Sequence, residues 1–252
     1  KVLGKLENKL KEISNVVQAL ILGAFSTLLA FILFLDFSNS FAVEEIPKGI
    51  DFYFMPLMYS LITGVFSFFG WLVGKKSSDK VSFNLDFRMT KRELKINILI
   101  GVLLALFAII GTEFFFLMQY PSGFNLIKEG FCYTLQSGFF EEVWYRMGLM
   151  GVFSYSIHKL FFKGKEEKKS TSRKIGLFVI SLLLIFIALQ DINVLLMFES
   201  IQIIVGLIVR IVPALVYTFL FYKKGFYHSV VAHMTQEMVI NFILIPLITL
   251  IR

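Results

Sequence analysis

Apolar residues run along this chain in stretches of about twenty, separated by short segments dense in Lys, Arg and turn-forming residues. Crossing the hydrocarbon core of a bilayer takes about 20 mostly apolar residues. Seven stretches meet that length: Val16–Leu35, Phe52–Val73, Ile96–Met118, Phe131–Phe162, Ile175–Gln190, Ile201–Tyr222 and Phe226–Ile251. The fourth and seventh are long enough to tilt or to project from the membrane. The fifth is short, and Asp191–Ser200 behind it offers a further apolar helix, so eight is the alternative count. The pattern predicts an all-α, polytopic transmembrane helix bundle forming one integral membrane domain over residues 1–252. Residues 1–130 supply the N-terminal helices and 131–252 the helices that carry the candidate chemistry.

The charges order these spans. Basic residues gather before the first span, after the second, after the fourth and after the sixth. The intervening loops hold only Lys48, Lys128 and Arg252, so twenty basic residues face three. Cytoplasmic loops carry the excess of Lys and Arg, which predicts a cytoplasmic N-terminus and a C-terminus on the opposite side. Ser40-Phe41-Ala42 resembles a signal cleavage site, but the apolar stretch before it exceeds a signal-peptide core, so the first span is read as a membrane helix. Lys163–Lys174 is the candidate mobile surface loop.

Composition excludes other classes. Hydrophobic residues make up 57% of the chain, charged residues 17%, and mean hydropathy is +0.76. A soluble domain is nearer half apolar and a quarter charged, and 30 phenylalanines exceed what a water-soluble core of this size buries. A soluble enzyme, a disordered tail and a disulfide scaffold are ruled out; the one cysteine, Cys132, cannot form an internal disulfide. The net charge of +7 sits in loops rather than in a groove or stripe, so no nucleic acid is expected.

The informative residues are the polar ones inside spans, where each charge costs about 2.5–3.5 kcal/mol on insertion scales. Glu113, Glu141, Glu142, Arg146, Arg210, His233 and Glu237 occupy such places, with Gln190, Gln236 and Asn241. They must face one another or a wet cavity. On a helix Glu142 and Arg146 share a face and can pair, while Glu141 points about 100° away. One carboxylate is then held ionised by a guanidinium while the other is free to act as a base. The alternative is an ion pair fastening two helices, with a spare Glu lining a cavity.

His233, Glu237 and Asn241 are spaced by four and form one polar stripe. By the helical rise Glu141 lies about 15 Å from the outer edge and His233 about 10 Å from the inner edge of a core about 30 Å thick, so the two can meet. Together they could activate a water, or Glu141, His233 and Glu237 could hold a metal, although no second His supports a metal set. No cofactor and no metal is expected. His228 and His158 are read as interfacial.

Glu141-Glu142-Val143-Trp144-Tyr145-Arg146 resembles the E-E-x-x-x-R motif of the CAAX-processing and bacteriocin-processing (CPBP, or Abi) intramembrane proteases, a family that includes the Ras-converting prenyl endopeptidase. Phe186-Ile187-Ala188-Leu189-Gln190 stands where that family has F-x-x-x-H, and His233-Met234-Thr235-Gln236-Glu237 where it has H-x-x-x-N or D. Tyr222–Tyr227 is similar to the family's short basic turn, and the resemblance covers about Gly130–Asn241. It implies that Glu141 is the base, that Glu142 and Arg146 support it, and that His233 is an electrophilic or proton-transferring partner. Two departures stand out. Gln190 cannot take a proton at neutral pH, but can position a water or donate to an oxyanion; Phe198-Glu199-Ser200-Ile201-Gln202 repeats its spacing. Glu237 brings an acceptor where a neutral donor is expected, unless it is protonated.

The expected function is an intramembrane endopeptidase that hydrolyses a peptide or lipidated C-terminal substrate with Glu/His-activated water. Its candidate residues are Glu141, Glu142, Arg146, His233, Gln190 and Glu237. The alternative is a catalytically inactive relative serving as a membrane scaffold, immunity factor or partner-binding protein. A proton-linked transporter would want inverted repeats or broken helices, and neither is visible. Expected partners are membrane lipid, a peptide or lipidated protein substrate, and in the scaffold reading a membrane protein.

Overall fold

The computed structural model describes residues 2–40, 50–76, 83, 85, 88–119, 128–162 and 200–247. Among these the chain is helical, with no strand. The helices are α1 (Val2–Ser40), α2 (Ile50–Gly74), α3 (Lys91–Gln119), α4 (Lys128–Leu135), α5 (Met150–Phe162), α6 (Ser200–Lys224) and α7 (Phe226–Val239). Six of the seven apolar stretches fall on these helices. The fifth stretch, Ile175–Gln190, the Lys163–Lys174 loop and the motif ending at Gln190 lie outside the described residues.

Among the described residues three helical stretches are long and apolar enough to cross a membrane, Glu12–Leu29, Ile204–Lys224 and Phe226–Leu247, and Ser60–Gly74 is a shorter apolar helix. Large apolar side chains face outward, and several polar ones are buried beside the apolar core. Val65 on α2 and Phe219 on α6 are 67% and 59% exposed, whereas Ser26, Ser60, Thr63, Asn97, Glu142, Arg146 and Gln236 are buried. Exposed apolar groups around an interior that also shelters polar and charged side chains fit a hydrocarbon solvent.

Between α4 and α5 the helix widens. Gln136–Phe140 and Glu142–Leu149 are π-helical, with Glu141 between them. The amide of Met150 accordingly bonds to Tyr145 O, five residues back. A third π segment, Ile240–Leu244, extends α7, where the Ile245 amide bonds to Ile240 O. Such i→i+5 turns are rare, usually single, and frequent at functional sites; here they lie on the two facing helices that carry the ionisable residues.

Backbones approach closely where side chains are absent. Any Cβ at Gly70 of α2 or at Gly151 of α5 would collide with the backbone of the opposing helix, at Gly148 and Gly70 respectively. Close approach through small residues is the usual packing device of membrane helices. Gly138 does the same against α7, where its Cβ would stand 2.7 Å from Met234 Cα. α3 packs along the other side of α7 and also touches α6.

Contacts at the helix ends set the mutual directions. Lys75, just past α2, pairs with Glu12 of α1 at 3.4 Å, and Lys224 of α6 with Glu93 of α3 at 3.1 Å. Tyr227 Oη donates to Gln18 Oε1 at 3.4 Å. The basic ends of α1, α2, α3, α6 and α7 therefore share one end of the bundle. An aromatic plug closes that end. Trp71 Nε1 donates to Phe83 O (2.9 Å), and Phe83 meets Phe221 edge-on at 5.3 Å beside buried Phe226. The turn from α6 to α7 is made by Gly225 alone at φ 107°, a left-handed conformation open to glycine, with its amide bonded to Phe221 O at 3.0 Å.

Candidate functional site: a buried carboxylate–imidazole–guanidinium cluster

Gly138 lets α7 lie against the π-helical rod, and that approach sets His233 opposite Glu142. The two helices run antiparallel, so Ser229 and His233 of α7 reach Glu142, while Asn241 further along reaches Thr134 of α4. His233 Nδ1 donates to Glu142 Oε1 at 2.8 Å. Arg146 Nη1 pairs with the same oxygen at 3.1 Å, one helical turn on. Ser229 Oγ donates to Glu142 Oε2. Glu142 is thus fully buried with three partners, and Arg146 beside it is 1% exposed. Arg146 Nη2 also reaches Ala214 O on α6 at 3.5 Å, which ties the third helix to the cluster through the guanidinium. Removing a charge from such a set leaves its partner uncompensated.

The imidazole is held on its face as well as its edge. Tyr217 of α6 stacks on His233 with ring centroids 4.2 Å apart and planes at 17°, and its hydroxyl donates to Gln236 Oε1 on α7. With Nδ1 donating to Glu142, the lone pair of the neutral ring lies on Nε2. That nitrogen faces Glu237 Oε1 at 3.9 Å, a separation that one water can bridge. Glu237 in turn bonds to Asn241, and Asn241 Nδ2 donates to Thr134 Oγ1 at 3.3 Å.

Glu141 is treated differently from its neighbour. It is half-buried and takes part in no hydrogen bond among the described residues. His233, Glu237, Arg146 and Glu142 all act on it electrostatically, and Arg210 of α6 lies in electrostatic reach of Glu141 and Tyr145. The sequence expectation that Glu141 and His233 meet is therefore modified: the direct carboxylate partner of the imidazole is Glu142, and Glu141 stands beside the pair. Of the six candidates, Glu141, Glu142, Arg146, His233 and Glu237 come together. Gln190 lies outside the described residues, as does the side chain of Glu113.

His228 is 8% exposed and accepts from Asn97 Nδ2 of α3 at 2.9 Å. His158 is half-buried on α5. No group of three His, Cys, Asp or Glu side chains among the described residues has metal-holding geometry. Sequence reasoning missed Ser229, Tyr217 and Thr134. Ser229 was within reach of it, since it stands four residues before His233 on the same face. Tyr217 carried no signal, because only the packing of α6 on α7 brings its ring to the imidazole. No protein-family model, no curated protein and no solved structure matches this chain.

Proposed function

We propose that this chain is a multi-pass membrane protein acting as an intramembrane endopeptidase, in which Glu141 and His233 use water to hydrolyse a peptide or lipidated C-terminal substrate. One observation carries the reading: two adjacent carboxylates have opposite fates, Glu142 saturated by Arg146, Ser229 and His233, Glu141 half-buried and without a hydrogen bond among the described residues. That is the division of labour a hydrolase needs, one group positioned and one available. Glu141 takes a proton from water as the oxygen adds to the carbonyl carbon. That proton passes to the free Nε2 of His233, and the imidazolium so formed, held by Glu142 and Tyr217, gives it to the departing amine as the C–N bond breaks. Glu237 orders the water beside Nε2, and the place of Gln190 in the second motif assigns it to the oxyanion as a donor. The resemblance of Glu141–Arg146 and His233–Glu237 to the CAAX/CPBP motifs supports the same roles.

In this reading seven spans cross the bilayer, with the N-terminus cytoplasmic and the C-terminus on the other side. The twenty-to-three asymmetry of basic residues and the shared end of Glu12, Lys75, Glu93 and Lys224 support it.

The test uses the full chain in liposomes with prenylated C-terminal peptides and unmodified membrane peptides, and mass spectrometry of the products. Cleavage by the wild type, reduced at least about a hundredfold in both Glu141→Gln and His233→Ala, is the expected result. Equal processing by the variants overturns the proposal. The closed network around Glu142 favours a second reading, a non-catalytic scaffold whose ion pairs and hydrogen bonds fasten three helices. That reading requires a co-purifying membrane protein still bound by Glu141→Gln.

A further inference from the structure

The face of α3 turned away from the bundle has an architecture of its own. Asn97, Gly101, Leu104 and Ala108 point inward, against α6 and α7. On the opposite side Ile96, Leu99, Leu103 and Leu106 recur at helical spacing and are all exposed, Leu99 by 57%. At the basic end of the bundle this apolar stripe runs into a shallow, open groove lined by Lys91, Arg92, Lys95, Ile96 and Leu99. The carboxylate in that first turn does not neutralise the groove. Glu93 sits on a different face, held by Thr90 at 2.9 Å and Lys224 at 3.1 Å. No ion pair involves Lys91, Arg92 or Lys95 among the described residues.

We infer that this groove binds an anionic phospholipid, its phosphate among Lys91, Arg92 and Lys95 and an acyl chain along Ile96, Leu99, Leu103 and Leu106. The dimensions agree. From Ile96 to Leu106 the helix rises about 15 Å, half of a hydrocarbon core about 30 Å thick and so the depth of one leaflet. Three cations above a fully apolar track complement a lipid with a negative headgroup; a soluble anion would leave the track unused, and a zwitterionic lipid would bring its own cation against the lysines. The inference rests on α3 facing lipid and is independent of whether Glu141 and His233 do chemistry.

The experiment reconstitutes the full chain in vesicles of equal phosphatidylglycerol and phosphatidylcholine and weighs the retained lipids by native mass spectrometry. The wild type is expected to retain phosphatidylglycerol in preference. Lys91→Gln, Arg92→Gln and Lys95→Gln each lower that preference by up to about fivefold, the effect of one basic residue at an anionic surface. Lys75→Gln with Lys76→Gln, basic residues at the same end but off the groove, leaves it unchanged. A second readout needs no loss of charge: in a Leu103→Trp protein, brominated phosphatidylglycerol quenches the added fluorescence more than brominated phosphatidylcholine. Equal retention and equal quenching of the two lipids overturn the inference and leave the cations to an acidic protein partner. An unchanged preference in all three groove variants overturns it as well.

Discussion

Glu141 and Glu142 are chemically identical neighbours that the fold separates by about one helical step, and most of what the site can do follows from that step. Glu142 carries Arg146, Ser229 and His233, so neutralising it strands a guanidinium in a dry interior. Glu142→Gln is expected to destabilise the protein by about 3 kcal/mol or more, the range for breaking a buried pair. Glu141→Gln, which breaks no hydrogen bond among the described residues, should cost clearly less than that. Unfolding in mild detergent, followed by circular dichroism, compares the two, and equal stabilities would show that the Glu142 network carries no weight. Tyr217 permits a finer cut. Tyr217→Phe keeps the stack on His233 and removes only the bond to Gln236, a loss of about 1 kcal/mol by the same measurement. A larger loss would mean that the hydroxyl, rather than the ring, organises α6 against α7.

Among the elements, the crossing of α7 over the π-helical rod decides whether the cluster exists. Gly138 stands where a Cβ would meet Met234 Cα at 2.7 Å, and backbone cannot move aside as a flexible side chain does. Gly138→Ala is expected to cost about 1–3 kcal/mol and to lengthen the His233–Glu142 contact. Crosslinking yield between cysteines placed at Ser137 and Met234 reports the separation, and an unchanged yield would show that the crossing has slack. The start of α3 offers a pH-dependent contact just outside the expected span. The Thr90 amide, then Lys224 and the Thr90 hydroxyl, hold the Glu93 carboxyl down from 4.5 to about 2, a capping box reinforced from α6. Because the folded value lies below the unfolded one, this contact is fully present above about pH 4.5 and fades as pH falls toward 2. The carboxyl carbon shift of Glu93 should titrate near 2 in the wild type and move upward in Lys224→Gln; coincident curves would show that the lysine has no part in it.

For the whole molecule, the contacts at one end and the distribution of basic residues describe the same surface. Glu12–Lys75 and Glu93–Lys224 tie together the ends of four helices that the charge count puts on one side. Single cysteines at Lys75 and Lys224, in a Cys132→Ser background, are expected to react with a membrane-impermeant reagent from one side of sealed vesicles. Cysteines at Lys48 and Lys128 should react from the other. Labelling of Lys48 and Lys75 from the same side would break the seven-span proposal at α2.

Much of this was legible without coordinates. Helices over six of the apolar stretches follow from composition and spacing, because hydrocarbon leaves a buried backbone few ways to satisfy its hydrogen bonds. The Glu142–Arg146 pair and the stripe of His233 and Glu237 follow from helical periodicity, which a single chain segment already contains. The rest depended on neighbours. Which carboxylate takes the imidazole turned on π-helical winding and on how far Gly138 lets α7 descend, neither encoded in a spacing of four. Tyr217 and Ser229 were chosen by the packing of α6 and α7, and His228 was drawn inward by Asn97 from a helix more than a hundred residues away. Local pattern determined which residues the bundle had to hide; the crossing of its helices decided which of them hide together.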